Sequence, residues 1–223
     1  MSEEKLHFNL KIQKRKYSFK LTREEFAPIT TLASLPKFDR LIMENAYADD
    51  SGREYTLEWC EKYRELCLEN YDLNMKYFQS LDENEFDSEL TNFLSRHNRF
   101  KQIFDLNDVD GVYGYYIMVL DEYKQAYIGK AVDIKRRIRQ HWNKTKPLDR
   151  TLCPMYNVSN SVFSIDFFRP LDTTRIYVWK KKPSYGIESK LVKDFPSKFL
   201  CNRIGGDIVT SIEALATMNT RRN

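Results

Sequence analysis

The residues best suited to chemistry lie in the second half of the chain, on two segments with helical periodicity. In the first segment, Arg137 and His141 are spaced i and i+4, on one edge of an apolar stripe. In the second, Glu188 shares the apolar face with Leu191 and Val192. A carboxylate beside a core is costly unless it is paired or binds a metal. Glu188 is therefore either a metal ligand or half of a structural salt bridge to one of the chain's arginines.

Tyrosine and glycine are concentrated just before the first of these helices. Tyrosines in a strand pair are usually cross-strand packing residues, so this composition alone does not indicate a function. It does place several hydroxyl groups in the segment just before the helix that carries the arginine and the histidine. The tyrosines are Tyr113, Tyr115, Tyr116 and Tyr127, and the glycines among them are Gly111, Gly114 and Gly129.

A β-hairpin must position these tyrosines. Apolar runs over 112–120 and 125–129 predict two antiparallel strands joined by a polar turn at 121–124. In the register that this turn implies, Leu120 pairs with Gln125, which brings the residues of the two runs into defined pairs.

Two helices must carry the charged residues. The spacing of Ile134, Ile138 and Trp142 predicts a helix over 132–142, and the pattern around Glu188 predicts a second helix from about Tyr185. The first helix follows the end of a strand, so Arg137 and His141 can point together into a cleft.

Taken together, these residues resemble the GIY-YIG endonuclease family. The second motif of that family stands here as Tyr127-Ile128-Gly129. Arg137 lies ten residues after Tyr127 and His141 fourteen, where the family carries an arginine and a histidine or tyrosine. The metal-binding glutamate of the family matches Glu188, and its closing asparagine matches Asn202.

The first motif of the family has two candidates in this chain. Gly111-Val112-Tyr113 matches it better in sequence but lies three residues further from the second motif than is usual. Gly114-Tyr115-Tyr116 has the usual spacing but a tyrosine in the middle position. The hairpin register places Tyr127 opposite Met118, closer to Tyr116 than to Tyr113, so the choice stays open. The resemblance covers roughly residues 109–207.

The resemblance implies an α+β fold, with a small antiparallel sheet flanked by helices. It also implies a metal-dependent endonuclease that hydrolyses phosphodiester bonds in DNA. A single Mg²⁺ or Mn²⁺ held by Glu188 suits a hard cation that keeps several waters. Arg137 would offer its planar guanidinium to the phosphate. We expect three further basic residues to contact the nucleic acid: Lys130, Arg136 and Arg139.

The remaining catalytic roles implied by the resemblance concern proton transfer. Tyr127, or the tyrosine of the first motif (Tyr113 or Tyr116), would take a proton from the attacking water, with its pKa lowered by nearby cations. His141 would share that task or hold the phosphate, and Asn202 would orient its neighbours. The alternative function is a nucleic-acid-binding module that keeps the fold without cutting.

The charge distribution divides the chain near residue 105. Residues 1–105 carry 16 Lys and Arg against 20 Asp and Glu, whereas residues 106–223 carry 20 against 12. A basic second half is the expected partner of a polyanion such as DNA. We therefore predict an accessory domain over 1–105, of unknown role or for protein interaction, and a nuclease domain over 106–223.

The predicted accessory domain is mostly helical and starts with a β-hairpin. Alternating apolar residues on both sides of Lys14-Arg15-Lys16 predict that hairpin, with the basic residues in its turn. A capping-box pattern at Thr22 predicts a short helix, and residues 38–104 have helical periodicity.

Composition predicts a protein of the cytosol. The chain has no apolar run of the roughly 20 residues that a membrane span needs, and no signal peptide at its start. Its four cysteines form no CxxC pair, so we expect reduced, structural thiols rather than a zinc site. The pattern indicates no membrane partner and no small-molecule cofactor.

Overall fold

The strands form two antiparallel sheets. The smaller sheet pairs β1 (Glu4–His7) with β2 (Leu10–Gln13). The larger sheet contains β3 (Lys101–Ile103), β4 (Gly114–Leu120), β5 (Gln125–Ala131) and β6 (Arg175–Trp179), in the order β3-β6-β4-β5. The computed structural model describes residues 3–14, 18–26, 57–143 and 162–202. The predicted α+β class with a small antiparallel sheet is confirmed.

Helices pack on both faces of the larger sheet. The helices of the described residues are α1 (Arg23–Phe26), α2 (Leu57–Ser80), α3 (Glu83–Arg96), α4 (Ile134–Asn143) and α5 (Ile187–Asp194), joined in places by short 3-10 turns. Residues of α2 and α4 pack on one face of the sheet and residues of α3 and α5 on the other. The helix predicted from Thr22 corresponds to α1, and the helices predicted around Ile138 and Glu188 correspond to α4 and α5.

The β4–β5 hairpin has the predicted register. Leu120 pairs with Gln125 and Met118 with Tyr127, around a 3-10 turn over Asp121–Tyr123 that ends at Lys124 in the left-handed region. Every residue of β4 is buried, because this strand lies inside the sheet and is covered on both faces. The second strand continues two residues beyond the predicted end, to Ala131.

Alternation along β4 divides its side chains between two faces of the sheet. The first face packs against α2 and α4, and the second face packs against α3 and α5. Along β4, the first face carries Tyr116, Met118 and Leu120, and the second face carries Tyr115, Ile117 and Val119.

The edge strand β5 is covered by the segment after α5. Cys201 N donates to Ala126 O at 3.0 Å, and the Asn202 side chain exchanges two hydrogen bonds with the backbone of Ile128. These bonds satisfy backbone groups that an open sheet edge would leave unpaired. They also fix the edge of the sheet next to the tyrosines.

The N-terminal hairpin has a different turn from the predicted one. The chain reverses at Phe8-Asn9, where φ is 44° and 56°, so residues 4–13 contain both strands. Two residues with positive φ make the turn that suits a two-residue hairpin, and asparagine tolerates that conformation. The predicted basic turn at 14–16 was wrong, and Arg15 and Lys16 lie outside the described residues.

The predicted helix over 38–104 is described from residue 57, as α2 and α3. Its last part was wrong, because residues 101–103 form β3 and pair with β6. Three residues are too few for an alternating pattern, and the hydrogen bonds to β6 determine this strand. Residues 38–56 lie outside the described residues.

Within the described residues, the core does not divide at residue 105. The ring of Phe8 stacks on Trp142 with centroids 6.4 Å apart, and Phe78 contacts Tyr123 at 5.6 Å. Strand β3 belongs to the same sheet as the residues that follow it. The charge of the chain therefore changes at residue 105, but the described residues on both sides of it share one core. The accessory role of residues 1–105 stays a prediction.

Among the described residues, no helix is long and apolar enough to cross a bilayer. Cys67 and Cys201 are buried thiols, as expected for structural cysteines, and Cys201 Sγ donates to Ala126 O.

Candidate active site

The first face of the sheet brings together four of the predicted residues. Tyr116 and Tyr127 project from neighbouring strands, and α4 lies beside them with Arg137 and His141. The helix is anchored by its apolar stripe, and the Asp133 carboxylate accepts from Arg136 N at 2.9 Å in its first turn. This anchoring directs Arg137 and His141, which the spacing predicted to share one edge of the helix, toward the tyrosines.

Tyr116 is fully buried, and its hydroxyl oxygen lies 2.8 Å from His141 Nε2. Gly129, opposite Tyr116 on β5, leaves room for this hydroxyl. A Cβ atom at Gly129 would lie 2.6 Å from the Tyr116 oxygen, which is closer than real side chains allow. The glycine of the second motif therefore has a steric role here.

His141 is 1% exposed and has a second polar partner, Asp166. Its Nδ1 atom lies 2.7 Å from Asp166 Oδ1, and its ring packs edge-on against Tyr127 with centroids 5.0 Å apart. The sequence analysis missed Asp166. It lies in a short 3-10 turn (Ile165–Phe167), where no helical or strand periodicity marks the neighbouring residues.

Arg137 is partly buried beside the same tyrosines. Its guanidinium interacts electrostatically with Tyr116 and Tyr127, and its Nη1 atom lies 3.5 Å from Gln140 Oε1. The helix face opposite to this group carries Arg139, which is exposed. Arg137 thus belongs to the tyrosine cluster, whereas Arg139 lies on the surface.

The tyrosines are less acidic than predicted. Burial raises the pKa of Tyr116 well above its ordinary value, and it also raises the pKa of Tyr127. Arg137 lowers both pKa values, but the loss of hydration outweighs it. The prediction that nearby cations lower the pKa of a tyrosine was therefore wrong for the protein alone, and both groups are neutral phenols at neutral pH.

Glu188 reaches the cluster from the second face, in the first turn of α5. It is buried, and its Oε2 atom lies 3.3 Å from Lys130 Nζ. Its negative charge contributes to the raised pKa values of Tyr116 and Tyr127. The salt-bridge alternative for Glu188 is thus realised, with a lysine rather than an arginine.

The donor set around Glu188 fits a cation that keeps most of its water. Among the described residues, no group of three or more His, Cys, Asp and Glu side chains could hold a metal ion. One carboxylate suits Mg²⁺ or Mn²⁺, which keep several water ligands, better than zinc, which takes three or four protein ligands.

Asn202 has a structural position next to the cluster. Its Oδ1 accepts from Ile128 N at 2.9 Å and its Nδ2 donates to Ile128 O at 2.7 Å. Both polar ends of the amide are therefore occupied by the backbone of β5. This agrees with an orienting role for Asn202.

The other predicted residues lie apart from the cluster. Tyr113 is 51% exposed and precedes β4, so the structure places Tyr116, and not Tyr113, among the grouped residues. Arg136 and Arg139 line a cleft of about 800 Å³ between α4 and β2, where Lys11 contributes a further cation. Lys130 is not on this surface, because it pairs with Glu188.

Comparison with known proteins gives no relative. No family model, no curated protein and no solved structure matches this chain.

Proposed function

We propose that this chain is a metal-dependent endonuclease of the GIY-YIG type, which hydrolyses phosphodiester bonds in DNA. The observation that carries the proposal is the convergence of opposite charges on one pair of tyrosines. Arg137 from the first face and Glu188 from the second both act on Tyr116 and Tyr127. A phosphodiester needs such a set, because hydrolysis requires a cation, a phosphate-binding group and an oriented water together.

Glu188 would hold the divalent cation, Mg²⁺ or Mn²⁺, with Lys130 beside it. When bound, that cation supplies charge stabilisation at a phosphate oxygen and at the leaving group. Arg137 binds the phosphate through charge-assisted hydrogen bonds, which strengthen as negative charge builds up in the transition state.

Tyr127 orients the attacking water. It is the partly exposed member of the tyrosine pair, whereas Tyr116 is enclosed. As a neutral phenol it holds the water by hydrogen bonds and does not act as a preformed base. The DNA backbone lies along the basic cleft beside α4, where Arg136 and Arg139 contact phosphates in a sequence-independent manner.

The test is incubation of the full chain with supercoiled plasmid and with branched DNA, in magnesium, in manganese and in a chelator. We expect nicked or linear products with either metal and intact DNA with the chelator. The two substrates distinguish an enzyme of ordinary duplex from one of branched junctions. Intact DNA under all conditions, with binding retained, contradicts the proposal.

The second candidate function is a DNA-binding module without catalysis, in which residues 1–105 serve protein interaction. The observation that favours it is the ion pair between Lys130 and Glu188, because a carboxylate neutralised by a lysine needs no metal. The two candidates differ in their response to magnesium. A module binds DNA equally with and without it, whereas the nuclease cuts only when magnesium is present.

A further inference from the structure

The polar groups of the first face form a chain whose direction is fixed at both ends. The chain runs from the Tyr116 hydroxyl to the His141 ring and ends at the Asp166 carboxylate, and the Arg137 guanidinium acts electrostatically on its Tyr116 end. An ionised carboxylate only accepts hydrogen bonds, and a guanidinium has no acceptor for the Tyr116 hydrogen. A neutral His141 between them therefore has one possible sense.

The fixed ends determine the tautomer of His141. In the neutral imidazole, Nδ1 carries the proton and donates to Asp166 Oδ1, 2.7 Å away, so Nε2 carries a lone pair. That lone pair accepts from the Tyr116 hydroxyl at 2.8 Å. The Tyr116 oxygen is then left as an acceptor for Arg137.

We infer that Asp166 is a positioning residue of the active site, which sets the His141 tautomer and, through Tyr116, holds the Arg137 guanidinium toward the phosphate. The inference rests on the proposed function. Burial supports it, because His141 is 1% exposed and Tyr116 is enclosed, so water is a poor substitute for these partners. Arg137 is the partly exposed end of the chain, where a substrate can contact it.

Without the Asp166 carboxylate, the chain of hydrogen bonds loses the acceptor that sets its direction. An asparagine at position 166 can present either its Oδ1 or its NH₂ to His141 Nδ1, so it no longer fixes the tautomer. When the NH₂ faces Nδ1, His141 Nε2 bears the proton. The Tyr116 hydroxyl must rotate toward Arg137, where donor meets donor. The guanidinium then loses its support without any change in its own side chain.

The first measurement is the tautomer of His141, from the ¹⁵N shifts of its ring in the full-length protein. The chain has three histidines, so His7 and His97 serve as internal references. We expect a protonated Nδ1 and an unprotonated Nε2 in the wild type, and a changed pattern in Asp166→Asn. A protonated Nε2 in the wild type overturns the inference.

The second measurement is single-turnover DNA cleavage by Asp166→Asn. We expect kcat to fall roughly 10- to 100-fold, as on loss of an outer partner of a functional histidine, with KM nearly unchanged. Asp172→Asn is the matched control. Asp172 is a buried carboxylate of the same segment that accepts from Leu21 N, Arg169 N and Tyr123. We expect this variant to keep the wild-type tautomer and kcat.

The outcomes separate the inference from the proposed function. If Asp166→Asn folds and cleaves at the wild-type rate, the inference is wrong while the nuclease stands. If the wild type cleaves no DNA, the nuclease is wrong, and the tautomer of His141 still decides whether Asp166 directs the chain. If Asp166→Asn does not fold, the wild-type tautomer decides in the same way.

Discussion

The first face of the sheet supplies a directional chain of hydrogen bonds to the candidate site, whereas the second face supplies an ion pair. On the first face, His141 and Tyr116 are buried and Asp166 is partly buried, and with a neutral His141 they can be joined in one sense only. On the second face, Lys130 and Glu188 are held together by charge, and Lys130 keeps 30% of its side-chain surface exposed. The two sets meet around β5, the edge strand between them.

This difference indicates different responses to a ligand. A chain of matched donors and acceptors is costly to rearrange in a buried place, so it sets a geometry that persists before and after binding. An ion pair with one exposed partner can exchange that partner for another cation. In the proposed nuclease, the first face therefore positions Arg137, the proposed phosphate-binding group, and the second face is the part that would respond to a metal.

The largest effect is expected from breaking the second face at Glu188. Glu188→Gln keeps the shape of the side chain but removes the charge that would hold the cation. We expect cleavage in magnesium to fall by about 10³-fold or more, because metal catalysis contributes several kcal/mol to the barrier. DNA binding should persist or tighten, because a negative charge near a basic surface is lost.

Rates of plasmid cleavage and fluorescence anisotropy of bound DNA measure these two effects. The matched control is Glu85→Gln, which removes a glutamate paired with Lys198 on the surface and should leave cleavage unchanged. A Glu188→Gln variant that cuts at the normal rate in magnesium would show that the metal is not held there.

The next effect comes from breaking the outer end of the chain on the first face. Arg137→Ala should lower kcat by about 10²-fold, because a charge-assisted contact of the transition state is lost. Arg139→Ala, on the exposed side of the same helix, should instead weaken DNA binding and reduce the slope of log K against log salt by about one. Equal losses of turnover in the two variants would contradict the separation of the two faces of α4.

The sequence predicted the elements of the site that depend on local patterns. The register that pairs Leu120 with Gln125 follows from the length of the turn. The grouping of Arg137 with His141 follows from helical spacing, and burial of Glu188 follows from its place on the apolar face of α5. Each of these features depends on residues close together in the chain, so the periodicity and spacing of the sequence are enough to predict it.

The parts that the sequence did not predict depend on distant contacts. Asp166 is 25 residues from His141 and lies in an aperiodic segment, so only the fold brings the two together. The pKa of Tyr127 was predicted with the wrong sign, because burial outweighs the charge of Arg137. The hairpin turn at Phe8-Asn9 was missed because the alternation of apolar residues continues through it.

A third prediction concerns Asp172, a buried carboxylate of the first face that is not part of the chain. Burial raises the pKa of Asp172 from 3.8 to about 6, although hydrogen bonds from Leu21 N, Arg169 N and Tyr123 lower it. An acid with a higher pKa in the folded state binds its proton more tightly there. The stability of the protein should therefore fall as pH rises from 4 to 6, by about 2 kcal/mol from this group.

Asp172→Asn should remove that dependence. The amide oxygen can accept from the two backbone N–H groups, and its NH₂ can donate to the Tyr123 hydroxyl. Urea denaturation of both proteins at a series of pH values between 4 and 6 measures the difference. Parallel curves for the wild type and the variant would show that Asp172 has an ordinary pKa in the folded protein.

The smallest expected effect concerns Lys130, on the second face. If Lys130 occupies the position of a competing cation at Glu188, its removal should strengthen metal binding. Lys130→Ala should tighten Mn²⁺ binding to the protein without DNA by up to about fivefold, since a partly exposed ion pair contributes about 1 kcal/mol or less. Titration followed by calorimetry or by the electron paramagnetic resonance signal of free Mn²⁺ measures this affinity.

Lys135→Ala is the matched control, because Lys135 lies 2.7 Å from Asp110 and away from Glu188. Because both variants lose one positive charge, a general electrostatic effect would change both affinities equally, whereas competition at Glu188 changes only the first. Weaker Mn²⁺ binding by Lys130→Ala would instead assign Lys130 to holding the carboxylate in place for the metal.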